Sequence, residues 1–131
     1  MTDHEFVVAF ESCALPLESF HHADHVRMAF AYLKRYPLLE AIQRFSADLA
    51  RFAAAHGKSN LYHETITWAY MLIIQERLAR GVRPVLWSEF TAGNEDLLDW
   101  NNGILKKYYR AETLQSEFAK ATFVFPDRIS G

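Results

Sequence analysis

The chain has 131 residues, half of them hydrophobic, and a formal charge of −2. That length fits one domain with one core, the apolar share excludes disorder over most of the chain, and the near-neutral balance, without a basic or acidic tail, argues against nucleic acid as a partner. A single cysteine, Cys13, excludes an internal disulfide and suits a reducing compartment.

The first five residues, Met1 to Glu5, are polar and acidic, unlike the basic start of a secretory signal. The longest strongly apolar stretch, Ile66 to Ile74, is too short to span a bilayer. Together these predict a cytoplasmic protein with no membrane partner.

In chain order, Asp3 can cap a first helix from about His4 to Cys13 that buries Phe6, Val7 and Phe10, and Leu15-Pro16-Leu17 breaks it. Asp24 is the expected N-cap of a second helix ending near Tyr36. Val26, Met28, Ala29, Phe30, Tyr32 and Leu33 cover more than half of its circumference, so it should be mostly buried. After Pro37, the residues Leu38, Ile42, Phe45, Leu49, Phe52 and His56 recur at spacings of four and three. This is the clearest amphipathic pattern in the chain, and Gly57 is its natural stop.

A fourth helix is expected from Leu61 or Tyr62 to Arg80, closed by Gly81. Its middle, Ile66 to Ile74, is apolar nearly all round, the mark of a central helix. The β-branched residues there offer a buried strand as a rival reading, and the length to the next breaker favours helix. Beyond Pro84 the pattern shortens. Ser88 and Asn94 can each cap a turn, Asn101-Asn102-Gly103 reads as a turn, and Ile104 to Tyr109 and Ser116 to Phe123 read as short helices. Phe123-Val124-Phe125-Pro126-Asp127 reads as an extended tail, and the aromatic residues of this region argue that it packs on the body. The predicted fold is all-α: a single-domain bundle, residues 1–131, of four main helices plus short C-terminal helices and an extended tail.

Three of the six histidines fall in Phe20-His21-His22-Ala23-Asp24-His25-Val26. On a helix, His21 and His25 are four apart and His22 and His25 three apart, so either pair shares a face. Neutral imidazole is a good ligand for zinc, iron, nickel or copper, and Asp24 could orient a histidine or join the ligands. The plainer reading is a helix start whose histidines bond to nearby backbone.

Tyr62-His63-Glu64-Thr65-Ile66-Thr67 opens the fourth helix, and His63, Thr67, Tyr70 and Arg77 lie near one stripe of it. Polar groups on an otherwise apolar helix must find partners, since unpaired buried ones are costly. If that stripe faced the first histidine group, His22, His25 and His63 would make a three-histidine site with an open position, the form of a catalytic metal centre. The plainer reading puts Glu64 at the helix dipole and lets the threonines bond back one turn.

Several signatures are absent. His63-Glu64-x-x-Thr67 lacks the second histidine of a zincin helix, no repeated Glu-x-x-His pair supports a di-iron bundle, and no Gly-rich phosphate loop occurs. Cys13 follows a helix rather than starting one, which reads as a small packed residue.

The segments Phe20 to Val26, Tyr62 to Thr67 and Phe123 to Asp127 resemble those of a family of small uncharacterised bacterial proteins. The resemblance covers most of the chain. It carries no activity, cofactor or substrate, and implies only that the three segments belong to one design.

Two readings fit these residues. In the first, the protein is a metal-binding helical protein or small metal-dependent enzyme holding a divalent transition metal. His22, His25 and His63 are its ligands, Glu64 and Asp24 the catalytic carboxylates, and Tyr62, Thr67, Tyr70 and Arg77 the substrate contacts. In the second, it is a non-enzymatic module that binds a small-molecule ligand or forms a homodimer through its many aromatic residues. A metal-free enzyme using histidine as acid or base fits the same residues.

Overall fold

A computed structural model describes residues 2–81 and 86–128; Met1 and Pro84, named above, lie outside them. Among the described residues the chain is all-α and has no strand. Four main helices, α1 (Asp3–Glu11), α2 (His22–Arg35), α3 (Leu38–Ala55) and α4 (Glu64–Arg80), precede three short ones, α5 (Trp87–Ala92), α6 (Ala111–Gln115) and α7 (Glu117–Ala121). An extended tail follows at 123–128. No described helix is long and apolar enough to cross a membrane. The chain divides into two units, Met1–Tyr62 and His63–Gly131.

In the first unit, Thr2 rather than Asp3 caps α1. Its hydroxyl accepts from Glu5 N–H at 3.1 Å while the Glu5 carboxylate accepts from Thr2 N–H at 3.2 Å, a reciprocal capping box. Asp3 becomes the first helical residue and pairs with Arg27 of α2 at 3.0 Å. α1 stops at Glu11, two residues before the expected end. There Cys13 N–H donates to Phe10 O at 3.0 Å and Ala14 N–H to Ala9 O at 2.8 Å, with Cys13 at φ +61°. α3 ends in the same way. Gly57, at φ +70°, donates to Ala54 O and Lys58 to Ala53 O. Both are Schellman stops. Glycine takes the left-handed position freely, whereas Cys13 holds it against its own Cβ, at a cost of order 1–3 kcal/mol.

α2 begins one turn earlier than the sequence suggested. His21 is its N-cap, and Asp24 sits in the first turn with its carboxylate accepting from His21 N–H at 3.0 Å. A carboxylate bonded to the backbone at a helix start serves from either place, which is why the sequence could be read three residues out of register. The stripe predicted for α3 is the buried one: Ile42, Phe45, Leu49 and Phe52 all face inward. With fully buried Phe10 they build a phenylalanine core, Phe10 lying 6.0 Å from Phe45 and 5.3 Å from Phe52 between ring centroids. Each such side chain contributes about 1.5–3 kcal/mol when taken out of water. Tyr32 fastens α2 to α3 by donating to Asp48 Oδ2 at 2.7 Å, and burial and that carboxylate hold its hydroxyl far above the ordinary phenol range.

In the second unit α4 starts at Glu64, later than predicted, because Ser59–Leu61 forms a separate 3-10 turn and His63 caps the helix. Thr65, Ala69, Met71, Ile74 and Leu78 are buried, while Leu72 lies on an open face. Ser88 lies inside α5, whose N-cap is Leu86. Asn94 precedes a 3-10 turn without capping it through its side chain, which reaches back to Phe90 O at 2.8 Å. The stretch from Ile104 holds only a 3-10 turn, and Ser116 caps α7 by accepting from Ala119 N–H at 3.1 Å. The helix α6 before it has no counterpart in the sequence reading.

The tail is laid down as expected. Phe123 stacks on Trp68 at 5.6 Å, Tyr109 donates to Val124 O at 2.6 Å, and Arg128 N–H donates to Tyr108 O at 3.0 Å. Three aromatic residues of the region stay largely open to solvent, however. Trp100, Phe118 and Phe125 remain 55%, 68% and 80% exposed.

Candidate functional site

The histidines at the head of α2 have different environments. His21, the cap residue, is exposed, and its Nδ1 lies 3.6 Å from Asp24 Oδ2. His22 is the first helical residue. His25, one turn in, turns toward the core. Its ring meets Phe20 edge-on at 5.0 Å and Phe45 at 6.0 Å. Part of the residue reaches the surface, but Nε2 is sealed from solvent and has no hydrogen-bond partner. Burial, aided by His22 nearby, pushes the imidazole down to about 4. His25 is therefore neutral near pH 7, and a neutral imidazole carries one lone pair and one N–H.

A second sealed imidazole borders the same rings. Phe20 packs on Phe52 at 5.1 Å, Phe52 meets His56 at 4.7 Å, and His56 Nε2 is likewise buried without a partner. The sequence pattern placed His56 on the buried stripe of α3 and missed its chemistry. The only available signal was a histidine at an apolar position of the repeat.

In the second unit, His63 is fully engaged. Its Nδ1 accepts from Ile66 N–H at 3.1 Å, which caps α4, and its Nε2 meets Leu114 O at 2.7 Å. An accepting Nδ1 and a carbonyl at Nε2 together fix the proton on Nε2. A metal at either nitrogen would have to displace one of these bonds.

The rest of the predicted stripe is also satisfied within this unit. Glu64 Oε1 accepts from Trp68 Nε1 at 3.1 Å. Buried Thr67 donates to His63 O at 2.7 Å, the back-bond expected of a helical threonine. Tyr70 is buried beside Asp96 and Asp99, and its hydroxyl is pushed up to about 12, chiefly by burial. Arg77 grips Asp96 with two bonds, at 2.6 and 2.7 Å, and donates to Asn94 Oδ1 at 3.1 Å. Tyr62 is half-buried in the link before α4.

Of the predicted ligands, His22 and His25 thus share the first turns of α2 in one unit, and His63 belongs to the other. Among the described residues, no three His, Cys, Asp or Glu side chains are grouped to hold a metal ion. Compared with protein-family models, with curated proteins and with solved structures, the chain finds no match.

Proposed function

We propose that the protein is a ligand-binding module whose polar anchor is the imidazole of His25, and that it takes a small ligand with an apolar ring and one hydrogen-bonding group. The observation that carries this reading is the sealed, partnerless Nε2 of His25 between Phe20 and Phe45. A buried polar atom left unmatched costs about 1–3 kcal/mol, and a ligand that supplies the missing partner recovers it. The surrounding rings favour an aromatic body, by edge or offset contact. No covalent chemistry is required.

Phenol is a minimal probe, having a ring and one hydroxyl. In NMR titrations of the full chain it should shift the His25 ring resonances and the Phe20 and Phe45 ring signals saturably, and His25→Phe should abolish the effect while keeping the fold. An unmoved His25 ring, or equal binding to the variant, would remove the reading.

A second reading, the metal-binding protein or small metal-dependent enzyme, is favoured by one observation: His22 and His25 stand three apart on α2, and His25 is held neutral, the form that binds metal. Asp24 is tied to the His21 backbone beside them. Zinc titration by calorimetry separates the two readings. One ion per chain, lost in His22→Ala and His25→Ala, supports the metal; no heat of binding leaves only the phenol-type ligand.

A further inference from the structure

The sealed nitrogen of His25 has a neighbour that fills space and offers it nothing. Phe20 lies in the link between a 3-10 turn, Leu17–Ser19, and the His21 cap of α2. Its ring is set among those of Phe6, Phe10, Phe52 and His25. It stacks on Phe10 at 5.3 Å with only 9° between the planes. Phe52 stands tilted against it at 5.1 Å, and His25 meets it edge-on at 87°. The seat is shaped for one flat, phenyl-sized ring. A hydrocarbon ring placed there makes the stacking contacts and leaves Nε2 of His25 without a partner.

Phe20 is also the member of this group best placed to leave. Phe10 and Phe52 are 0% and 1% exposed and lie within helices, whereas Phe20 is half-buried and lies outside any helix. Its backbone is fixed on both sides, Phe20 N–H donating to Leu17 O and His21 N–H to the Asp24 carboxylate, each at 3.0 Å. A turn of the Phe20 side chain toward solvent therefore breaks neither bond, and it uncovers Phe10, Phe52 and His25 together.

We infer that Phe20 is a displaceable stand-in for the ligand: a planar, single-ring aromatic with one hydroxyl takes its seat on Phe10 and gives the His25 imidazole the hydrogen bond that Phe20 cannot. The inference rests on the His25 reading and adds to it the place, flatness and size of the ring. Ring contacts are replaced in kind while one buried nitrogen gains a partner. Two fused rings exceed a seat that one phenyl fills, and a puckered ring loses the parallel contact with Phe10. Driving the Phe20 ring into water opposes the exchange.

Phenol, toluene, cyclohexanol and naphthol are titrated into the full chain and into Phe20→Ala, followed by NMR. Phe20→Ala should bind phenol about tenfold more tightly than the unaltered chain, since no ring need be expelled. In that variant toluene should bind about tenfold more weakly than phenol, for want of the hydrogen bond. Cyclohexanol and naphthol should both fall behind phenol. In the unaltered chain saturated with phenol, proton contacts between the Phe20 and Phe10 rings should give way to contacts between phenol and Phe10, a result that stands even where Phe20→Ala fails to fold. Phenol that shifts the His25 ring while Phe20 stays stacked on Phe10 overturns the displacement and spares the His25 anchor. Toluene equal to phenol overturns the anchor, and the inference with it. Cyclohexanol or naphthol equal to phenol overturns the choice of a flat single ring.

Discussion

The hydroxyl of Thr65, fully buried in the first turn of α4, accepts from the N–H of Val124 at 3.1 Å. The same oxygen lies 2.7 Å from Ala119 O and 2.9 Å from Thr122 O, so its one proton is shared between two carbonyls. One side chain thereby ties α4 to the end of α7 and to the tail. Thr65→Val keeps the shape and leaves these backbone groups unmatched, so it should cost about 1–3 kcal/mol in urea unfolding. Thr65→Ser should recover most of that, and Val124 amide exchange should quicken in the valine variant alone.

His25 should make stability depend on pH. Unfolded, its imidazole takes a proton near 6.5; folded, only at about 4. Between those values the unfolded chain binds more protons. The contribution of His25 is therefore fully present above 6.5 and declines as pH falls toward 4, at up to about 1.4 kcal/mol per pH unit. His25→Phe should flatten the profile in this window and raise acid stability, since it removes an unmatched buried nitrogen. An unchanged slope in the variant would contradict the sealed environment.

The ring proton of His63 should be found on Nε2, facing Leu114 O, with Nδ1 accepting from Ile66 N–H, as nitrogen NMR of the ring can read directly. His63→Ala should cost about 1 kcal/mol through loss of the α4 cap, with a further loss from the freed Leu114 carbonyl. His63→Asn should restore the cap and not the bond to Leu114. A proton found on Nδ1 would mean that Ile66 N–H is capped by something else.

Arg77 should behave as a structural tie. Its guanidinium holds the Asp96 carboxyl below the usual carboxylate range, so the pair stabilises above that range and the gain is lost as pH falls through it. Asp96 is about half exposed, at 49%, which limits the effect. Arg77→Gln should cost less than about 1 kcal/mol, with the difference shrinking at high salt in urea titrations. A much larger, salt-independent loss would point to a role beyond this pair.

The parts of the fold that could be read from the sequence are those set by long repeats and by glycine. Ile42, Phe45, Leu49 and Phe52 announce their face by spacing, and Gly57 announces the stop. Helix starts were harder, since the same residue types serve at several places. Thr2 and Asp3 compete for one cap, and Asp24 bonds the backbone from inside the first turn. His63 caps through a ring nitrogen, which its neighbours in sequence do not signal. The candidate site was visible only as a concentration of histidine. Which imidazole turns inward depends on a boundary that moves with a single residue, and the pairing of His63 with Leu114 joins positions 51 residues apart. The approach of α1 to α2, which sets Asp3 against Arg27, is encoded by no local pattern.

Cys13 occupies a corner that glycine would normally take, and it is the chain's one thiol. A fluorophore or spin label attached there would inherit a direction fixed by the left-handed backbone at the end of α1. The molecule thus carries a built-in reporter position, needing no engineered cysteine, from which the approach of α1 to α2 can be followed.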